Sequence, residues 1–446
     1  MQRWLGVVAC GLMACDPAPA ADTDAGSSSG ASESAGSTTD AVASTGSTSL
    51  DSTSGSSTGP IPSTGAADES STGAPIDCDG FVPGEAFEIA AGSSSTRIHP
   101  HVAGDGSGAW FTFVQPEPAG SLFDVMATRL RCAGVADVEP FTVNTEPSND
   151  IDGSIAVSGD RVMVLWNSDD GSGGSSNLQV HARTFFTDGT PLDDAQRRIT
   201  TAVDGEDILQ NHTFGVVTPA PEGFVVAGLR AHPDSPAFVA FSQALDLDGA
   251  LVDEAFGPPV EDGVSHLLAS ATGPWLAFGR SSDRTDAVWM TDGTEEGTQP
   301  LFDGQSGQGA HVLTLPAAPE QPLIAAAVGQ GSSFDIAIAV GAGSPLLLGE
   351  ASSLEHNPTL AAGPDGQLAV VYHRNLGGLN NAVVLQRLAL RGESVVTVGE
   401  PEELDVMSPP YPPSLTWIEA GWLATWSRGS SPDFTTWGRV LNADAR

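Results

Sequence analysis

The sequence predicts an all-β fold, a seven-bladed β-propeller of four-stranded blades behind a disordered tether. Three observations predict it. An apolar, strand-like phrase recurs seven times after residue 98, anchored at Trp110, Val162, Phe224, Trp275, Leu323, Leu368 and Trp422. The anchors lie 52, 62, 51, 48, 45 and 54 residues apart, and a period near fifty built from short strands marks radial repetition. Gly, Asp and Pro cluster beside the phrases, as in Asp105-Gly106 and Pro364-Asp365-Gly366, where hairpins need turns.

Each repeat parses into four strands. The first follows a polar turn, as in His101-Val102-Ala103 and Thr359-Leu360-Ala361. The anchor phrase is the second. The third carries an arginine at a matched offset, Arg129, Arg183, Arg387 or Arg439, and this repetition predicts pairing between neighbouring blades. The fourth is short, as in Pro140-Phe141-Thr142-Val143. After the seventh anchor there is room for a third strand, Thr435 to Leu441, but not for a fourth. Ala86-Phe87-Glu88-Ile89-Ala90, just before repeat one, reads as the missing strand. It would complete the last blade and remove two exposed sheet edges. The 62-residue step leaves six or eight blades open.

Composition divides the 446 residues into a leader (1–15), a linker (16–77) and a globular domain (78–446). The linker is rich in Ser, Thr, Gly, Ala and Asp, and Ser-Thr-Gly recurs at 44–46, 57–59, 63–65 and 71–73. It offers almost nothing to bury, so it cannot offset the entropy of ordering. A coil of this length spans roughly 40–45 Å, which suits a tether. The net charge is −39, and all 17 basic residues are arginine. Such a surface repels nucleic acid and excludes it as a partner.

Trp4 to Ala14 is an apolar run too short to span a bilayer. Leu12-Met13-Ala14-Cys15 then resembles a bacterial lipobox, which implies that Cys15 is lipidated and becomes the new N-terminus. Val7-Val8-Ala9-Cys10 fits the pattern with fewer apolar residues upstream, and a plain secretory signal cleaved near Ala18 or Ala20 is the other reading. With Cys10 removed and Cys15 lipidated, Cys78 and Cys132 remain. An even pair in an oxidising compartment reads most simply as a disulfide, the alternative being two free thiols. The run Val180-His181-Ala182-Arg183-Thr184-Phe185-Phe186-Thr187-Asp188-Gly189-Thr190-Pro191-Leu192, with Val164-Leu165-Trp166, resembles the repeats of bacterial exported propeller-repeat proteins. Lipobox, tether and repeats together look like surface lipoproteins of myxobacterial type. The resemblance implies an exported, lipid-anchored protein of the cell envelope, with an envelope protein or polysaccharide as partner. It transfers no catalytic residue.

Six of the nine histidines, His99, His101, His212, His266, His311 and His356, fall just before or at the start of a first strand. In a propeller those strands line the central channel, so imidazoles from five blades should face one mouth. Asp150 and Asp152 take that place in blade two, and Tyr411 in blade seven. Arg230, Arg280, Arg374 and Arg428 end anchor phrases and should flank the same mouth. Arginine suits bidentate capture of an anion. Imidazole can donate to an anion or hold a transition metal, the one cofactor suggested here, with His266 and His311 as first ligands. The plain alternative is that these residues cap strand ends and line a watery channel. Asp246-Leu247-Asp248-Gly249 reads as a turn and Asn167-Ser168-Asp169-Asp170-Gly171 as a solvated loop. The globular domain has no Gly-x-Ser-x-Gly elbow, no His-Glu-x-x-His and no phosphate-binding loop with lysine. Ser431 to Trp437 is one residue short of a sialidase-type aspartate box and lacks its glycine. Three functions remain open: non-catalytic recognition of an anionic glycan, peptide or partner protein; metal-assisted hydrolysis or elimination at the histidine ring; and a structural envelope role.

Overall fold

A computed structural model describes residues 80–93, 100–116, 122–148, 150–169, 179–199, 202–203, 206–207, 212–231, 238–256, 276–282, 285–291, 299–302, 306–315, 318–330, 333–349, 354–378, 380–408, 411–430 and 433–443. The chain divides between Ile76 and Asp77, and every described residue belongs to the second unit. The leader and tether, with Cys10, Cys15 and Cys78, lie outside the described residues.

The described residues form an all-β propeller. Strand β1 (Phe87–Ser93) comes first in the chain and last in the ring. Blade one is β2 (His101–Gly104), β3 (Ala109–Pro116), β4 (Phe123–Cys132) and β5 (Val135–Thr142). Blade two is β6 (Asp150–Ser158), β7 (Arg161–Ser168), β8 (Gln179–Phe186) and β9 (Arg197–Arg198). A small hairpin, β10 (Ala202–Val203) and β11 (Glu206–Asp207), precedes blade three, which is β12 (His212–Ala220), β13 (Gly223–Ala231), β14 (Phe238–Asp246) and β15 (Leu251–Phe256). Next come β16 (Leu276–Ser282), β17 (Thr285–Thr291), β18 (Gln299–Pro300), β19 (Ser306–Leu315), β20 (Ala318–Gln330), β21 (Ser333–Val340) and β22 (Leu346–Leu348), joined in one sheet. The following blade is β23 (Glu355–Ala362), β24 (Gln367–Gly377), β25 (Asn380–Arg391) and β26 (Ser394–Met407). The closing blade is β27 (Ser414–Ile418), β28 (Gly421–Ser430) and β29 (Asp433–Leu441), completed by β1.

That is a ring of six blades, and it corrects the expected seven. The fourth repeat does not stand as its own sheet. Its β17 pairs with β16 on one side, while its other side is shared between β18 and β19, the latter through the single pair Ala287–Ser306. The fourth and fifth repeats therefore merge. The first strand expected for repeat four lies outside the described residues.

The anchors behave as the pattern requires. Trp110, Val162, Phe224, Leu323, Leu368 and Trp422 are all at most 1% exposed. Apolar clusters fill the seams between blades: Trp110, Val125, Ile155, Val164 and Trp166 pack together between blades one and two. Full burial of one such side chain contributes about 1.5–3 kcal/mol. The Pro364-Asp365-Gly366 turn works as expected of its residues, with Asp365 and Gly366 at φ of 58° and 76°.

Polar groups stitch the innermost strands across the seams. Val102 N donates to Ser414 Oγ (3.3 Å) and Gly104 N to Thr416 Oγ1 (3.1 Å), joining blade one to the closing blade. Thr112 Oγ1 donates to Gly153 O (3.1 Å), and Val217 N to Ser154 Oγ (3.1 Å). Leu360 N donates to His311 Nδ1 (3.4 Å) and Thr359 Oγ1 to Pro413 O (2.8 Å). The third-strand arginines form a second set of ties. Arg183 donates to Val143 O in the stretch before blade two (3.0 Å), and Arg387 reaches Asn442 O beyond the closing blade (3.1 and 3.0 Å). Glu402 on β26 receives both Arg387 and Arg439, at 3.3 and 3.2 Å. Arg129 stays within its own blade, on Asp105 and Asp137.

The N-terminal strand closes the ring as the sequence suggested. Phe87 lies opposite Gly438, and Glu88 opposite Trp437. Gly438 makes room for this: a Cβ there would sit 3.0 Å from Ile89 Cδ1 and 3.1 Å from Phe87 Cζ. Phe87 and Ile89 then pack against the cluster of Phe81, Val102, Phe111, Leu423 and Val440 between the closing blade and blade one.

Candidate functional site

The site is built from the starts of the innermost strands and the ends of the second strands, which share one end of the ring. His101 opens β2 and pairs with Thr112, and His311 lies in β19 opposite Ala325. In ring order, blade one and the merged sheet are separated by two blades on either side. Yet the His101 imidazole helps lower the His311 pKa, which puts the two within electrostatic reach of one another. Burial, reinforced by His101, pushes the His311 pKa down to about 4. The Leu360 amide donates to its Nδ1, which requires the proton to sit on Nε2. His311 is therefore a neutral imidazole with its proton on Nε2.

His356 opens the next blade. Its Nε2 lies 3.3 Å from Asn381 Oδ1, and its ring packs 5.2 Å from that of His373, which is fully buried. Burial lowers the His356 pKa, and the Asn381 contact opposes the shift. His99 and His266 lie outside the described residues. His212 and Arg230 are register partners on β12 and β13, and Arg280 sits opposite Ala287 on β16. Tyr411 stands edge-on to Phe434 at 5.2 Å, and burial raises its pKa.

Two of the four arginines expected at the mouth, Arg374 and Arg428, are paired with carboxylates. Arg374 pairs with Glu403 at 3.2 Å. Arg428 pairs with Asp405 at 2.7 Å and stacks 4.4 Å above the Trp437 ring. Glu403 and Asp405 both belong to β26, an acidic outer strand that neutralises the two guanidinium groups.

The metal reading names His266, which lies outside the described residues. Among the described residues, no three His, Cys, Asp or Glu side chains come together as ligands. His311, the other proposed ligand, has its Nδ1 engaged by the Leu360 amide.

The stretch read as a solvated loop is a correction of a different kind. Asn167, Ser168 and Asp169 are buried, and so are Asp150, Ser148, Gln179 and His181 around them. Asp150 opens β6 opposite Ser168. Burial drives its pKa up to about 7, with Ser168, Ser148 and Trp166 acting the other way and Asp124 adding to the rise. The missed signal was the Trp166-Asn167-Ser168 end of the second strand facing Asp150. Polar residues there read as loop, but the Trp beside them marks a seam. Asp246-Leu247-Asp248-Gly249 is the expected turn, with Asp246 Oδ1 accepting from Ala250 N at 2.7 Å.

A surface cavity of about 410 Å³ lies at the other end of the strands, between the hairpins of blades one and two. Asp105, Arg129, Asp137, Asp160 and Asp188 line it. The pairs of Arg129 with Asp105 and Asp137 tie two hairpins of blade one at its rim.

No family model and no curated protein matches the chain. Among solved structures, a polysaccharide lyase described as an ulvan lyase aligns with 9% identity and a TM-score of 0.48, over 80% of this chain and 96% of its own. A Trypanosoma rangeli sialidase aligns with 11% identity and a TM-score of 0.41, over 70% of this chain and 58% of the sialidase, so the chain spans less than two thirds of that protein. A protein of unknown function from Dyadobacter fermentans aligns with 10% identity and a TM-score of 0.40. Likenesses this distant transfer neither a residue role nor an activity.

The state of His311 gives a prediction with a definite sign. Its folded pKa, about 4, lies below the ordinary 6.5. The stability it contributes is therefore full above pH about 6.5 and is lost as pH falls toward about 4. Long-range ¹H–¹⁵N spectra should show one imidazole fixed as the Nε2–H tautomer throughout the neutral range and absent from the His311→Gln variant. An imidazole at this position titrating near pH 6.5 would contradict the assignment.

Proposed function

We propose that this chain is an exported, lipid-anchored propeller that binds a hydroxyl-rich ligand, a glycan, at the histidine-lined end of the ring and performs no chemistry on it. One observation carries the reading: His101 and His311, on opposite blades, lie within electrostatic reach of one another, and His311 carries an uncharged N–H. Hydroxyl oxygens accept well from such donors, and a neutral polar lining takes them without the desolvation cost of an ion. An anionic glycan fits less well than the sequence suggested, because Arg374 and Arg428 are already paired with carboxylates in a chain of net charge −39. An uncharged stretch of an envelope polysaccharide is the ligand class that agrees with both facts.

The anchor rests on the Leu12-Met13-Ala14-Cys15 sequence and the tether behind it. The disulfide reading rests on Cys132, which is buried at the end of β4 and disulfide-bonded. We assign its partner as Cys78, the one other cysteine of the globular region. That bond would tie the start of the domain to blade one.

Two experiments test these readings. On an array of neutral and acidic glycans, the chain should retain neutral polysaccharide. His311→Ala, with its circular dichroism unchanged, should bind at least about tenfold more weakly, equivalent to about 1.4 kcal/mol. Retention of acidic glycans alone, or equal binding by the variant, would contradict the proposal. Peptide mass spectrometry of the unreduced chain from its native membrane should find an acylated peptide beginning at Cys15 and a linked Cys78–Cys132 pair. An unmodified Cys15 or two free thiols would remove the corresponding assignment.

A further inference from the structure

The seam between blades one and two holds a buried carboxyl that glycan binding does not use. Asp150 is 0% exposed. Ser148 Oγ lies 2.9 Å from its Oδ1, 3.0 Å from its Oδ2 and 3.3 Å from the Glu146 carbonyl oxygen. A serine hydroxyl has one proton to give. If Asp150 is protonated, it donates to Ser148 Oγ, and Ser148 can donate onward to Glu146 O. If Asp150 is ionised, Ser148 must turn its proton to the carboxylate and release Glu146. Asn144 shares that carbonyl (Nδ2 to O, 3.4 Å), and it also holds blade one, donating to Asp124 Oδ1 (2.9 Å) and accepting from Val125 N (3.1 Å). The Ser148–Glu146 bond in this linker is thus made only around a neutral carboxyl, although Ser168 and Trp166 also bond Asp150 and favour its ionised form.

We propose that the Asp150–Ser148–Glu146 chain is a pH-sensitive latch on the blade one–blade two seam, closed when Asp150 is protonated and loosened when it ionises. The inference is independent of the glycan reading. The charged and titratable groups on the packed elements agree with it. Asp124 on β4 adds to the repulsion of an ionised Asp150. His181 on β8 is stacked on Trp166, 5.8 Å away. Arg183 on β8 is committed to the Val143 and Asp193 carbonyls. The raised pKa of Asp150, about 7, puts the change in the neutral range. A group whose folded pKa lies above its unfolded value stabilises the native state at low pH and loses that effect as pH rises through the folded pKa.

Hydrogen exchange of the full chain tests this, with rates corrected for intrinsic pH dependence. Protection of the Val125 amide and of the 143–148 linker should fall at least about tenfold between about pH 5.5 and 8.5, with a midpoint near neutrality. Asp150→Asn, neutral at every pH, should lack this step. Equal protection at both pH values would overturn the proposal, as would a midpoint below about pH 5, where ordinary carboxylates titrate, or an Asp150→Asn variant that keeps the step. If that variant does not fold, the wild-type midpoint decides.

Discussion

A ring of sheets is stable only when it is closed, and here closure depends on one short pairing. β1 comes from the far end of the domain's sequence to lie on β29, completing the closing blade. Without it, Phe87 and Ile89 would leave the cluster between the closing blade and blade one, and β29 would present an unpaired edge. Gly438 is the residue that admits the strand, since any side chain there would meet Phe87 and Ile89.

The remaining seams use the same few devices. Hydroxyls and one imidazole on the innermost strands accept or donate across blade boundaries, and arginines on the third strands reach neighbouring backbone. The candidate site grows out of this stitching. His311 joins its blade to the next through Nδ1 and by the same act fixes which nitrogen carries the proton. In the proposed reading, structural and binding roles fall on this one side chain.

Much of this is visible in the residues before any coordinates. The anchors are strongly periodic and wholly buried, because a strand covered on both faces must be apolar throughout. The arginine offset predicted inter-blade ties, which Arg183, Arg387 and Arg439 make. Other features were hidden for physical reasons. The blade count depends on where one strand edge pairs, and Ala287–Ser306 merges two repeats that periodicity alone separates. The arginines at the mouth look available until Glu403 and Asp405, some 30 residues downstream of Arg374, fold back onto them. Asn167, Ser168 and Asp169 read as loop because polarity normally means exposure, and only the fold shows them enclosed with Asp150.

The central claim, that the N-terminal strand closes the ring, is tested most directly by removing it. A chain lacking residues 87–93 should lose the single cooperative thermal transition of the full chain, and hydrogen exchange should show early loss of protection in β27–β29 and β2. Unchanged cooperativity and unchanged protection in those strands would contradict the account.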